Sequence, residues 1–194
     1  MKARESMQIY LVRHPRPNDI DGRCYGRLDV AVEPQVLFDA ADSVLAHISR
    51  PILAAAHVYS SPSSRCLAFA RHLAAPREPT PAEDLAEMYF GHWEGAAWDS
   101  IPRDQMDAWA ADVWGYRPGG GESANMVEAR WLRWLDHMRC MDVDTVVAVT
   151  HAGVIRVALA GPVPAPNSPA LEARSSAALE AHIAFGSVHR LNIA

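Results

Sequence analysis

The chain has 194 residues, 49% hydrophobic and 21% charged, with a formal net charge of −5. That profile suits one globular domain spanning 1–194, and it argues against a disordered chain and against any bulk attraction to nucleic acid or an anionic membrane surface. No apolar run reaches membrane-spanning length, and the polar first eight residues lack a signal-peptide core, so a cytoplasmic protein is expected.

Residues 9–15, Ile-Tyr-Leu-Val-Arg-His-Pro, open the ordered part of the chain. A short apolar run stopped by turn residues reads as a buried strand, and its last side chains are Arg13 and His14. Ligands of open α/β sheets bind just beyond the carboxyl ends of strands, which is where these two residues fall. A Pro/Gly/Asp-rich loop follows from 15 to 34, long enough to be functional or a lid. Leu37, Ala41, Val44, Leu45 and Ile48 then share one helical face.

A second strand is expected over 54–59, running into Ser60-Ser61-Pro62-Ser63-Ser64-Arg65. Ser61 as N-cap with Pro62 at the first helical position signals a helix start, placing Arg65 in the first turn among free backbone N–H groups. Residues 76–82 are proline-rich and are expected to cross the surface. Residues 84–95 are dense in acids and aromatics without a clean period, and read as an ordered loop. A helix is expected over 101–114, a hinge or turn at Gly119-Gly120-Gly121, and a longer helix carrying Val127, Trp131, Trp134, Leu135 and Met138. The most strand-like run, 145–149, ends in Thr150-His151-Ala152-Gly153, and helical spacing resumes at Val154. A Pro/Gly loop over 161–170 and one or two last strands in 182–193 complete the chain. Alternating strands and helices indicate an α/β domain with a largely parallel sheet.

Strand ends therefore carry Arg13 with His14, then Arg65, then His151, and Glu87 lies in the loop between the last two. Two imidazoles, two guanidiniums and a carboxylate at one sheet edge suit phosphoryl transfer, in which catalysis is mostly positioning and charge stabilisation. Arginine forks bind phosphate with paired charge-assisted bonds, and a neutral imidazole is a competent nucleophile. Arginine outnumbers lysine seventeen to one, although a GC-rich genome gives the same bias.

Other chemistries find no support. No cysteine is followed six residues later by arginine, as a Cys-dependent phosphatase loop requires. Asp142-Val143-Asp144 precedes a strand, whereas an aspartyl-phosphate nucleophile follows one. Cys24, Cys66 and Cys140 are odd in number and share no pair spacing, so they form neither a disulfide framework nor a zinc knuckle.

The segments Leu11-Val12-Arg13-His14, 60–65, 85–95 and 149–153 resemble, in type, order and spacing, the histidine phosphatase (phosphoglycerate mutase-like) superfamily. The resemblance implies a three-layer α/β/α sandwich with a largely parallel central sheet and no metal or other cofactor. It implies that His14 becomes phosphorylated, that Arg13, Arg65 and His151 form the phosphate pocket, and that Glu87 serves as general acid and then base. Three stretches, 22–29, 118–123 and 150–156, are similar to the alpha-ribazole phosphatase branch of cobalamin synthesis, although broad-specificity phosphatases share them. The partner so implied is a small phosphorylated metabolite; nothing in the sequence decides whether the chain forms a homodimer.

Two positions depart from that family's pattern. Pro15 stands where glycine is usual, removing one backbone N–H and fixing φ. Ile20 stands where asparagine is usual, so Arg16 or Asn18 becomes a candidate phosphate contact in its place. Tyr25 and Gly26 are further candidates for the substrate pocket, and Trp93 and Trp98 read as core or pocket wall. The remaining alternatives are a mutase using the same residues and a non-catalytic phosphate-binding protein.

Overall fold

The computed structural model describes residues 6–161 and 182–193. Along the chain its elements are β1 (Met7–Arg13), α1 (Pro34–Leu45), α2 (Arg50–Ala55), β2 (His57–Ser60), α3 (Ser64–Ala74), β3 (Thr80–Pro81), α4 (Arg103–Ala111), α5 (Ala124–Cys140), β4 (Thr145–Thr150), α6 (Ala152–Ala160) and β5 (Val188–Ile193). These strands form one five-stranded sheet in the order β3-β2-β4-β1-β5. All neighbours run parallel except β5, which lies antiparallel along β1.

Pleating sends successive side chains to opposite faces. Ile9 and Leu11 of β1 join one core with Val146 and Ala148 of β4. Tyr10 and Val12 join a second with Val147 and Val149. Both faces are covered, which is why these strands read as continuous apolar runs rather than as alternating ones. On the first face α5 contributes Val127, Trp131, Trp134 and Met138, and α6 contributes Val154 and Ile155. On the second face Val44 of α1, Leu53 of α2, and Phe69 and Leu73 of α3 close the layer. The result is the expected three-layer α/β/α sandwich. A smaller third cluster stands apart, with Cys24, Trp93 and Ile101 buried among Phe90, Trp98, Met106, Trp109 and Tyr116.

The register brings the carboxyl ends of three adjacent strands level. Arg13 pairs with Thr150, and Ser60 pairs with Val149. Beyond those pairs the His14 N–H donates to the Thr150 carbonyl at 3.0 Å, and the Ser61 N–H donates to the Val149 carbonyl at 2.9 Å. His14, Ser61 and His151 are thereby the first residues off three neighbouring strands. The Thr150 hydroxyl, fully buried, donates at 2.7 Å to the Leu85 carbonyl and ties the Glu87 loop to the same edge.

Several local expectations need correction. Residues 50–55 are a short helix, with Pro51 in its first turn, so the second strand begins at His57. The cap of α3 is Ser63, in extended geometry, and not Ser61; Ser61 remains beyond β2 and its side chain is used elsewhere. The proline-rich stretch after α3 contains β3, which extends the sheet at its edge through Tyr59 and Ser60. The helix expected over 101–114 is confined to Arg103–Ala111, with Pro102 at its start. The glycine triplet makes a turn, as expected, in 3-10 form, and the chain continues into a hydrogen bond from Glu122 N–H to the Tyr89 carbonyl, 2.7 Å. Among the described residues a single last strand, β5, is present, and the loop expected over 161–170 lies, apart from Gly161, outside them.

Replacing Thr150 by Val keeps the shape of a buried side chain and strands the Leu85 carbonyl. Urea unfolding of Thr150→Val is expected to report a loss of about 1–3 kcal/mol. Unchanged stability would mean that this bond does not secure the loop.

Candidate active site

His14 is 2% exposed, and its Nδ1 lies 2.7 Å from the Pro15 carbonyl. A carbonyl only accepts, so Nδ1 carries the proton and Nε2 is left with its lone pair. The proline that departs from the family pattern thus costs an N–H but supplies the acceptor that sets the tautomer. Burial, followed by the Arg65 and Arg13 charges, pushes the His14 pKa down to about 3, against the opposing effect of the Pro15 hydrogen bond.

His151 follows β4 and is fully buried. Its Nδ1 lies 3.3 Å from Arg65 Nη2 and its Nε2 lies 2.7 Å from Ser61 Oγ. Since a guanidinium only donates, Nδ1 accepts and the Nε2–H donates to Ser61. The two imidazole centroids are 5.0 Å apart. Burial, then the neighbouring His14, Arg65, Arg130 and Arg13, holds His151 well below the usual histidine range.

The guanidiniums are fixed by backbone carbonyls instead of by carboxylates. Arg65, 1% exposed in the first turn of α3, donates to Leu28 O at 2.9 Å and to Gly26 O at 2.5 Å. Arg13 donates to Ile183 O, and its guanidinium carbon lies 3.7 Å from the centre of the Phe185 ring. Burial lowers the Arg13 pKa, while Tyr25 and Glu87 act in the opposite direction. The Nε–H groups of both arginines are buried without a partner among the described residues. Unpaired buried donors are costly, and both lie on cations beside the imidazoles.

Glu87 is held from both sides. Its Oε1 accepts from Met88 N at 2.9 Å, and its Oε2 accepts from Gly153 N at 3.2 Å, near the start of α6. A Cβ at position 153 would stand 2.3 Å from Glu87 Oε1, so only glycine lets the carboxylate approach this backbone. Two cavities meet at Glu87. One of about 350 Å³ also reaches Arg13, His14 and Tyr25. The other, of about 220 Å³, reaches Gly26, Ser61, Ser63 and His151.

The structure therefore gathers Arg13, His14, Arg65, Glu87 and His151, with Tyr25 and Gly26 beside them. It does not bring Asn18 to the group, and Arg16 only borders it, with its guanidinium carbon 5.7 Å from the centre of the Phe185 ring that packs on Arg13 and His14. Arg16 pairs with Asp21, Asn18 Nδ2 donates to Glu33 at 2.8 Å, and neither residue lines either cavity. A nearby carboxylate captures each polar side chain before it can turn inward. Ile20, in the position usually taken by asparagine, is buried.

Residues 9–181 match the model of the histidine phosphatase superfamily, branch 1. The chain belongs to that superfamily. Solved structures of this histidine phosphatase fold superpose over nearly its whole length. An alpha-ribazole phosphatase from Shigella flexneri is 20% identical and matches with a TM-score of 0.74, covering 95% of this chain and 89% of that one. A phosphoglycerate mutase from Thermus thermophilus is 23% identical, with a TM-score of 0.66 and coverage of 97% and 99%. A mycobacterial hydrolase is 20% identical, with a TM-score of 0.75 and coverage of 96% and 91%. At these identities the likeness is one of fold. No curated protein matches the sequence.

Two residues that build the site were not picked out as site residues in the sequence. Ser61 read as a helix cap, and it is instead the partner of His151. Glu94 read as one acid among several. Its carboxylate accepts four backbone N–H groups, from Gly26 at 3.0 Å, Arg27 at 2.9 Å, Leu28 at 2.8 Å and Phe90 at 3.0 Å. That clasp shapes the turn whose carbonyls hold Arg65. The loop over 15–34 is thus anchored at its middle and is not a free lid.

Substituting Glu94→Gln places an amide N–H₂ opposite backbone donors. A stability loss of about 1.5–3 kcal/mol is expected, together with weaker phosphate binding as Arg65 loses its supports. Calorimetric titration with inorganic phosphate would check this, and unaltered affinity would count against the clasp.

Both imidazoles titrate below the unfolded value of about 6.5. As pH falls through 6.5 the unfolded chain takes up protons that the folded chain refuses, so these two groups lower stability progressively from about pH 6.5 toward the folded value of about 3 for His14. Imidazole ¹⁵N shifts of phosphate-free protein should stay at neutral-form values for both residues from pH 8 down to about 5. Ordinary titration near 6.5 would contradict a buried neutral pair.

Proposed function

We propose that this protein is a metal-independent phosphomonoesterase that carries the phosphoryl group on His14. Its substrate is a small phosphorylated metabolite, with alpha-ribazole 5′-phosphate in cytoplasmic cobalamin synthesis the favoured choice. The observation that carries the reading is His14 itself, a neutral imidazole with a defined Nε2 lone pair that feels the charges of Arg13 and Arg65, two guanidiniums that each hold an unpaired buried N–H. The substrate choice draws on the stretches 22–29, 118–123 and 150–156 and on a fold shared with an alpha-ribazole phosphatase.

The chemistry runs in two displacements. His14 Nε2 attacks phosphorus in line, forming the N–P bond as the ester O–P bond breaks. Arg13, Arg65 and the His151 imidazole surround the phosphoryl oxygens, whose charge the site meets with cations already in position. Glu87, as the carboxylic acid, gives its proton to the departing alkoxide. Water then takes the place the alcohol left, Glu87 removes its proton, and the N–P bond breaks to release phosphate and restore neutral His14. The Pro15 carbonyl stabilises the positive ring throughout, since the Nδ1–H bond strengthens as the imidazole gains the phosphoryl group.

A mutase would use the same residues and return the phosphoryl group to the product. Incubation with 3-phosphoglycerate and product analysis separate the two, with free phosphate expected and isomerised phosphoglycerate opposing it.

Hydrolysis of p-nitrophenyl phosphate should survive excess chelator and fall by more than about 1,000-fold in His14→Ala. Glu87→Gln should slow turnover about 100- to 10,000-fold. It should also allow an acid-labile, base-stable phosphate on His14 to be trapped. Equal activity of wild type and His14→Ala would remove His14 as nucleophile, and failure to trap any phosphoenzyme would favour a phosphate-binding protein.

A further inference from the structure

The larger cavity continues away from His14 into the third, smaller hydrophobic cluster, and its composition is uneven. Tyr25, Phe90, Trp98, Trp109 and Trp114 all line it, so three of the chain's six tryptophans face one space. Trp98 and Trp109 lie with their planes 14° apart and centroids 6.4 Å apart, and Phe90 meets both edge-on at 6.1 and 5.9 Å. Trp93, 2% exposed, packs behind Trp109 and donates its indole N–H to Gln105 at 2.9 Å. These rings are held by a packed core and by α4, so the wall is built before any ligand arrives.

The polar part of the lining is equally telling. Among the described residues that line this cavity there is no serine, threonine, asparagine, glutamine or aspartate. Beyond the phosphoryl end, the charged lining groups are Arg23 and Arg156. A polyhydroxylated leaving group with no aromatic part, such as a free sugar or glycerol, would surrender its water here and find few partners for its hydroxyls beyond Arg23, Arg156, Tyr25 and the indole N–H of Trp109, unpaired among the described residues. An aromatic group loses nothing of that kind, stacks or meets edges with the wall, and presents a π-face to the arginines. A cavity of ~150 Å³ holds one benzene ring, so about 350 Å³ has room for a two-ring system together with the linkage to phosphorus.

From this we infer that the aromatic cavity beside His14 is a leaving-group subsite for an alcohol that carries a flat, apolar, two-ring aromatic group. The inference rests on the phosphomonoesterase reading and narrows its substrate class. The aromatic group lies along the wall formed by Trp98, Trp109 and Phe90, while its carbinol oxygen stays at Glu87, where both cavities meet.

The test compares three monoesters whose alcohols are all aliphatic carbinols, so that leaving-group acidity does not set the order: 2-naphthylmethyl, cyclohexylmethyl and glyceryl phosphate. The kcat/KM for the naphthylmethyl ester should exceed that for the cyclohexylmethyl ester by about ten-fold, and that for the glyceryl ester by about 100-fold. In Trp109→Leu the naphthylmethyl-to-cyclohexylmethyl ratio should fall to within about three-fold of unity. Val113→Phe, which fills the same cavity without removing a ring, should lower the naphthylmethyl rate more than the glyceryl rate. Equal rates on the three wild-type esters, or a preference for the glyceryl ester, would overturn the subsite whatever the variants do. Should none of the esters be hydrolysed, the phosphomonoesterase reading fails, and calorimetry still decides the subsite. The wild-type protein should then bind 2-naphthylmethylphosphonate about ten-fold more tightly than n-propylphosphonate, and equal affinities would overturn it.

Discussion

The register of three parallel strands is the constraint on which the site depends. Because Arg13 lies level with Thr150 and Ser60 with Val149, the first residues off β1, β4 and β2 emerge side by side. The His14 N–H continues the ladder by one bond to the Thr150 carbonyl, so the backbone of His14 is held by the sheet. A slip of one residue would send Ile9 and Leu11 into the wrong core and would separate the imidazoles as well. Stability and site geometry are therefore secured by the same register, which the fit of particular side chains on two apolar faces fixes.

Electrostatics follow from that placement. Burial at the sheet edge keeps both histidines neutral, and the two arginines beside them are held through their terminal nitrogens by carbonyl oxygens that do not cancel their charge. A carboxylate partner would have filled the site with its own negative charge. Carbonyl partners leave the field positive and each Nε–H open, which is the state that favours a dianion arriving from solvent. Rigidity comes from further out: Glu94 shapes the turn that carries two of the carbonyls, and Phe185 lies against Arg13.

The segment between Glu87 and α5 carries aromatic residues that, with Cys24, form a core of their own. Those rings cannot be buried in either main layer, because both faces of the sheet are already closed by α1–α3 and by α5 and α6. They gather over the end of the strands instead and wall the cavity that opens from His14. The shape of that cavity and the packing of this third core are consequently one problem, as the polar cluster and the sheet are another.

The strands at 7–13 and 145–150, the helices through 37–45 and 127–138, and the α/β class could be read from periodicity because each is governed by local spacing and a buried face. Arg13, His14, Arg65, Glu87 and His151 were legible as candidates, since strand ends and a family-like pattern mark them. Local rules misjudged Ser61, whose serine-proline sequence is a sound cap signal but whose hydroxyl is drawn 90 residues along the chain to His151. They also offered Arg16 and Asn18 to the phosphate, when Asp21 and Glu33 were nearer. Long-range pairing was invisible for a physical reason: a hydrogen bond between Glu87 and Gly153, or between Glu94 and the 26–28 turn, has no sequence period. Patterning along the chain thus determined the layers and the strand ends. Only the packed tertiary structure decided which polar groups are neutral, which donors stay unpaired, and what shape the cavity beside His14 takes.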